Sequence, residues 1–110
     1  MKDEEIVCFE LINSAAKTLD CYNQAIQSAK NYEFDKALEF VKKGEKIFVE
    51  GQKEHLNLIK KEANGESDKI TLLLVHAEDQ MMITELTKQR AYDMIDCYKK
   101  IKQLEDLQNK

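Results

Sequence analysis

Apolar residues in the first part of the chain recur at alternating steps of four and three residues, the spacing that places side chains on one face of an α-helix. The positions on this face are Cys8, Ile12, Ala15, Leu19, Tyr22, Ile26 and Ala29. The following segment, NYEFDKA, breaks the register, because Asn31 tolerates left-handed φ and Asp35 suits the start of a helix. We therefore predict helix one over residues 3–30 and a tight turn after it.

The second helix is predicted over residues 33–63, where an apolar stripe again advances by three and four residues. Its members are Phe34, Ala37, Val41, Gly44, Phe48 and Gly51. A glycine inside a helix costs about 1 kcal/mol relative to alanine, so two on one face indicate a closely approaching neighbour, with a hinge as the alternative. The next segment, NGESDK, offers Gly65 to end this helix and Ser67 or Asp68 to cap another.

The third helix, predicted over residues 68–107, carries two apolar stripes. One suits the interior of its own bundle and comprises Ile70, Leu74, Ala77, Met81, Thr84, Ala91, Ile95 and Tyr98. The other, here called the outer stripe, lies roughly opposite and comprises Leu72, Val75, Asp79, Met82 and Leu86. We predict an all-α, antiparallel three-helix bundle with up-down-up topology, forming one domain over residues 1–110. Two partner helices cannot cover both stripes, so the outer stripe predicts association with further copies of the chain.

Asp79 lies at the centre of the outer stripe. A symmetry axis there would bring identical carboxylates together in a low dielectric, where they repel unless they are protonated or share a cation. A hard divalent ion with oxygen ligands suits converging aspartates, and we predict a metal ion on the axis. The alternative is that Asp79 lies at the edge of the stripe and reaches solvent.

Composition narrows the classes of partner and compartment. The chain is 35% charged and lacks proline, as long helices do, and its net charge of −4 disfavours nucleic acid and anionic lipid as direct partners. The longest uncharged apolar run, ITLLLV, falls short of the roughly 20 residues of a membrane span, and the start MKDEEIV lacks a signal-peptide core. We expect a soluble cytoplasmic protein. Cys8, Cys21 and Cys97 are widely spaced, which predicts buried free thiols.

His76 is the principal candidate for chemistry. Asp79 and Gln80 follow it by three and four residues, so the three side chains project from one helical surface. Neutral imidazole is both a nucleophile and a proton acceptor near neutral pH, as a transient phosphoryl acceptor must be. A lone helical histidine is more often structural or solvated, and no Ser/His/Asp set, phosphate loop or HExxH pattern accompanies it. We interpret His55 as a solvated or packing residue.

The segment LLLVHAEDQMM at 72–82 resembles the LLLVHAQDHLM signature of the lactose/cellobiose-specific enzyme IIA family of the bacterial sugar phosphotransferase system. Likewise, EEIVCFELINSAAKTL is similar to the family's opening helix and NLIKKEANGE to its LIQKEAGGE connection. NYEFDKALEFVKKGEK is similar to its EGDFEKA turn and second helix. The resemblance covers nearly the whole chain, in order.

The resemblance implies a homotrimer of three-helix subunits and a phosphocarrier function. His76 occupies the position of the phosphorylated histidine, which takes its phosphoryl group from HPr and passes it to a cysteine of the cognate enzyme IIB for disaccharide uptake. Contact with the membrane is then only indirect, through the sugar permease. Asp79 occupies the position of the metal-binding aspartate, and we expect one divalent ion, Mg²⁺, per trimer, shared by three copies of Asp79.

Two residues of the motif depart from the family pattern, since Glu78 replaces glutamine and Gln80 replaces histidine. We expect Gln80 to contact the phosphoryl oxygens or orient the His76 ring, and Glu78 to point to a different side. These departures leave open a degenerate member that binds HPr without relaying phosphate. The other alternative is a non-catalytic adaptor of the tetratricopeptide type. That architecture repeats a helical hairpin about every 34 residues, whereas this sequence contains only one such hairpin.

Overall fold

The protein is described by a computed structural model that covers residues 3–66 and 69–109. Within these ranges the chain forms three α-helices and no strand: α1 spans Glu4–Lys30, α2 spans Phe34–Ala63 and α3 spans Leu72–Gln108. They run up, down and up in a rod of 65 × 19 × 17 Å. The all-α, three-helix prediction is confirmed for the described residues. None of the helices in these ranges is long and apolar enough to cross a membrane.

The limits of α1 and α2 agree with the predicted ones to within a residue, whereas α3 begins at Leu72 rather than 68. Thr71 is its N-cap, and the Thr71 hydroxyl oxygen accepts a hydrogen bond from the backbone N–H of Leu74 at 3.1 Å. The predicted cap at Ser67 or Asp68 lies outside the described residues. Thr71 therefore fixes the start of the helix that carries His76.

The turn between α1 and α2 is tight, as predicted, but its left-handed residue is Tyr32 (φ 63°) and not Asn31 (φ −92°). The reason is the backbone bonding that ends α1, in which the N–H of Glu33 donates to the carbonyl of Ser28 at 2.9 Å. This bond places the left-handed position one residue after Asn31. At the end of α2, Gly65 adopts φ 71°, and the prediction there is confirmed.

Helix α1 lies between the other two helices and contributes to both core clusters of the bundle. One cluster joins the end of α1 to the start of α2 and the second half of α3: Tyr22, Ala25, Ile26, Ala29, Ala37, Val41, Ala91 and Ile95. The other joins the start of α1 to the second half of α2 and the first half of α3: Val7, Cys8, Leu11, Phe48, Leu58, Ala77 and Met81. On the predicted face of α1, Ile12 and Leu19 are only half-buried. Cys8 and Cys21 are buried, but Cys97 is exposed because it lies on the far side of α3 from buried Ile95, so the prediction for Cys97 is wrong.

The two glycines of α2 mark its closest approach to α1. A Cβ atom on Gly44 would lie 2.6 Å from Cε1 of Tyr22, and one on Gly51 would lie 3.0 Å from Oγ of Ser14. The hydroxyl of Ser14 also donates a hydrogen bond to the carbonyl of Ile47 at 3.4 Å. The prediction of a close neighbour, rather than a hinge, is confirmed.

Beside the two core clusters, polar side chains also link helix α2 to α3. His55 pairs with Glu78 at 2.7 Å. One turn earlier on α2, the Gln52 amide donates to the Glu85 carboxylate at 3.4 Å. Nearer the turn, the hydroxyl of Tyr92 donates to the carboxylate of Glu45 at 2.6 Å. The α3 partners recur every seven residues, so they form a line along one flank of that helix.

Candidate functional site

The two stripes of α3 have opposite environments. On the inner stripe, Ala77, Met81, Thr84, Ala91 and Ile95 are buried, although Ile70 precedes the helix and is exposed. All members of the outer stripe are exposed: Leu72, Val75, Asp79, Met82 and Leu86. The bundle of one copy therefore leaves a continuous apolar strip uncovered, with Asp79 at its middle.

His76 lies beside this strip in the second turn of α3 and is exposed, next to fully buried Ala77. Within residues 3–66 and 69–109, no hydrogen bond or ion pair engages its ring. The backbone beneath the ring is held by the Thr71 cap at one end and by core residue Met81 at the other. The imidazole therefore stands on a fixed helix with its nitrogens accessible to a partner protein.

Asp79 and Gln80 occupy the next turn. The carboxylate of Asp79 has no hydrogen bond or ion pair in the part of the chain that the structure describes, and it is exposed between Val75 and Met82. Gln80 is half-buried, and its backbone carbonyl accepts the Thr84 hydroxyl at 2.6 Å. The structure thus keeps the three predicted residues on adjacent turns, with Asp79 on the strip and Gln80 nearer the core.

Glu78 points away from His76, as predicted. Its Oε2 lies 2.7 Å from Nε2 of His55 on α2, and the side chains are 37% and 25% exposed. The interpretation of His55 as a solvated or packing residue named no partner for it, and the structure pairs its ring with Glu78. The two residues are 23 positions apart, and no local sequence signal connects them.

The buried thiols are not candidates for nucleophilic chemistry. Burial raises the pKa of Cys8, and the nearby carboxylates of Glu4 and Glu78 raise it further. Burial also raises the pKa of Cys21, although Lys43 acts in the opposite direction. A raised pKa keeps a thiol protonated and unreactive near neutral pH.

A metal ion at Asp79 would need more than one copy of the chain. Among the described residues of a single copy, no group of three or more His, Cys, Asp or Glu side chains is arranged to hold a metal ion. Asp79 supplies a free carboxylate, the ligand type that hard divalent ions prefer. Its position on an uncovered strip fits an ion bound by identical carboxylates from several copies.

Two cavities lie near the start of α3. The larger, of about 500 Å³, is lined by Asp3, Glu4, Glu5, Cys8, Lys69, Thr71, Leu73 and Leu74. The smaller, of about 280 Å³, is lined by Glu4, Leu58, Ile59, Glu62, Ile70, Leu74, Val75 and Glu78. Neither includes His76, Asp79 or Gln80, so the candidate site is an open surface that suits a protein partner better than an enclosed small molecule.

Comparison with known proteins gives a consistent result. The family model described as PTS system, Lactose/Cellobiose specific IIA subunit matches residues 6–99. The chain is 34% identical over 107 residues to the PTS system lactose-specific EIIA component of Lacticaseibacillus casei, covering 96% of each chain. It is 31% identical over 96 residues to the oligo-beta-mannoside-specific EIIA component of Bacillus subtilis, covering 87% of each. The crystal structure of the cellobiose-specific enzyme IIA from Bacillus anthracis superposes with a TM-score of 0.87 at 32% identity, covering 93% of this chain and 94% of that one.

Proposed function

The chain belongs to the lactose/cellobiose-specific IIA family of the sugar phosphotransferase system, and from this premise we propose that it carries a phosphoryl group on His76. Members of this family are phosphotransferase components. The observation that supports the proposal most directly is the exposed, unpaired imidazole of His76 within LLLVHAEDQMM, judged over the described residues. HPr is the phosphoryl donor and a cognate enzyme IIB is the acceptor.

The proposed relay has two balanced steps. In the first, the P–N bond of the HPr phosphohistidine breaks as a P–N bond to His76 forms. In the second, that bond breaks as a P–S bond to the enzyme IIB cysteine thiolate forms. Such transfers depend on in-line positioning and on stabilisation of the charge on the moving group. The chain contributes a fixed helix and an accessible ring, and both support in-line positioning.

The start of α3 offers electrostatic support for a phosphoryl group on His76. Helical side chains lean towards the helix N-terminus, so a group on His76 lies over the first turn, which begins at Leu72. The free N–H groups and the macrodipole make that end partially positive, which favours an anion there. The amide of Gln80, one turn further on, supplies a donor to the phosphoryl oxygens in place of the family's histidine.

The proposed assembly is a homotrimer in which the outer stripes of three α3 helices meet around a three-fold axis. Burial of Leu72, which is 85% exposed, and Leu86, which is 68% exposed, provides the apolar driving force. Three copies of Asp79 then converge and share one Mg²⁺. The bound ion supplies positive charge that offsets the mutual repulsion of the carboxylates.

The proposed cargo is a disaccharide of the lactose/cellobiose type. The relatives are described as specific for lactose, for oligo-β-mannosides and for cellobiose, all of them β-linked sugars. The tetratricopeptide-like adaptor alternative rested on the hairpin at residues 31–46, whereas the family match extends over residues 6–99. The broader match supports the phosphocarrier over the adaptor.

Intact-mass analysis tests the proposal. The protein is incubated at neutral pH with phosphoenolpyruvate, enzyme I and HPr, and we expect one phosphoryl adduct on the wild type and none on His76→Ala. Phosphorylated HPr in the same reaction is the internal control. An adduct on both proteins, or on neither while HPr is phosphorylated, contradicts the assignment of His76. Adduct formation without onward transfer to any enzyme IIB of this family would instead identify the degenerate member.

A further inference from the structure

The two flanks of α3 carry different chemistry. Successive residues of an α-helix are about 100° apart, so His76 and Glu78 lie on opposite sides of the outer stripe. The pairs from Glu78 to His55 and from Glu85 to Gln52 show that the Glu78 flank faces α2. The His76 flank is therefore the one beside α1.

Exposed apolar side chains follow the same division. Helix positions place Phe9 of α1 and Ile83 of α3, both about half exposed, on the outer face formed by α1 and α3, together with His76. Val49 and Leu56 of α2 are similarly exposed and lie on the outer face formed by α2 and α3. Each face thus carries unpartnered apolar surface next to α3.

The rotational symmetry of an assembly determines which faces of neighbouring copies meet. The inference drawn from it rests on the trimer proposed above. When identical copies surround an axis at the outer stripe, the α1–α3 face of each copy turns towards the α2–α3 face of the next. His76 and Glu78 differ by two residues, or about 3 Å of helical rise, so they stand at nearly the same height along parallel α3 helices. His76 of one copy therefore faces the His55–Glu78 pair of its neighbour.

We propose that the His55–Glu78 pair of one copy lines the phosphoryl site of the next copy, and that His55 is a positioning residue which holds the Glu78 carboxylate back. A free carboxylate opposite His76 would repel the phosphoryl dianion. The His55 ring, 2.7 Å from Oε2, ties that oxygen to α2 and occupies its lone pair. The pair also accounts for the departure from the family's glutamine at this position, since a charged residue there needs a partner.

The first test is the rate at which phospho-HPr labels His76, followed by intact mass. We expect His55→Ala to slow labelling on the order of 5- to 20-fold, because the released Glu78 carboxylate repels the incoming phosphoryl group. The double variant His55→Ala with Glu78→Gln should recover the wild-type rate. A purely structural role for the pair predicts no such recovery, because the double variant also lacks the link between α2 and α3.

Gln52→Ala is the matched control, because it removes a neighbouring α2–α3 contact more than two turns from His76 along α3. Its labelling rate should stay within about twofold of the wild type. The inference would be overturned if His55→Ala were labelled at the wild-type rate. It would also be overturned if the double variant were labelled as slowly as His55→Ala. Absence of labelling on the wild type would instead count against the proposed function itself.

The second test places the pair and His76 on different copies. His55→Ala chains, which keep His76, are co-expressed with His76→Ala chains, which keep His55, and tags of different mass distinguish them. In mixed assemblies, a His55→Ala copy beside a His76→Ala neighbour faces an intact His55–Glu78 pair. We expect that copy to be labelled faster than in assemblies of His55→Ala alone. Equal rates would show that His55 does not act across the interface and would overturn the proposal.

Discussion

The inner and outer faces of α3 share one helix and one periodicity, yet they have opposite environments. The inner face buries Ala77, Met81 and Ile95 against α1 and α2, and its threonines donate their hydroxyls to carbonyls one turn back. The outer face exposes leucine and methionine around an unpaired Asp79, again within the described residues. Apolar periodicity therefore identifies surfaces that must be covered, and only the environment of each shows whether its own bundle covers it.

Neighbouring methionines offer the largest expected contrast between the two faces. Met81 is 3% exposed and Met82 is 68% exposed. Met81→Ala should lower the free energy of unfolding by about 2–5 kcal/mol, because it leaves a cavity between α1 and α3. Met82→Ala should change it by less than about 0.5 kcal/mol in conditions where the copies are dissociated. Urea unfolding followed by circular dichroism, with sedimentation to establish the assembly state, measures both.

Similar costs for the two methionine variants in dissociated protein would contradict the assignment of inner and outer faces. If Met82→Ala instead abolished assembly without changing helix content, the assignment would be strengthened. That result would show that the outer face is needed for association but not for the fold of the bundle.

Removal of divalent metal probes the centre of the outer face. If Mg²⁺ at 100 times its Kd binds the assembled wild type, chelation should lower the free energy of unfolding by about 2.7 kcal/mol and reduce the melting temperature. Asp79→Asn should show no such dependence, since it lacks the charged ligand. Asp93→Asn, which alters an exposed aspartate further along α3, is the matched control and should respond like the wild type. Equal chelator sensitivity in all three proteins would remove the role assigned to Asp79.

The smallest expected effect concerns the start of α3, which positions His76 on the outer side. Thr71→Ala should cost about 1 kcal/mol of stability by removing the hydroxyl that accepts from the Leu74 N–H, and Thr71→Ser should retain most of it. Amide hydrogen exchange across the first turn of α3 reports the local effect. Protection unchanged in Thr71→Ala would mean that packing, rather than the cap, holds this turn.

The local pattern of the sequence was sufficient to predict much of the fold. The limits of α1 and α2 and the stripe of α2 depend on residues within a few turns of one another, and they agree with the structure. The wrong predictions concern the choice of one residue among neighbours with similar local preferences. Asn31 is a better left-handed candidate than Tyr32 on local preference, but the backbone bonds that end α1 place that conformation at Tyr32.

The candidate site likewise has features that follow from local sequence and features that depend on the tertiary structure. The sequence alone determined the three-helix architecture, the double-faced α3 and the spacing of His76, Asp79 and Gln80, because helical periodicity and a contiguous motif are local properties. The tertiary structure decided the pairing of His55 with Glu78 and the exposure of the whole outer stripe. Contacts between helices depend on how α2 lies against α3, and residues 23 positions apart acquire a relation only when the bundle has closed.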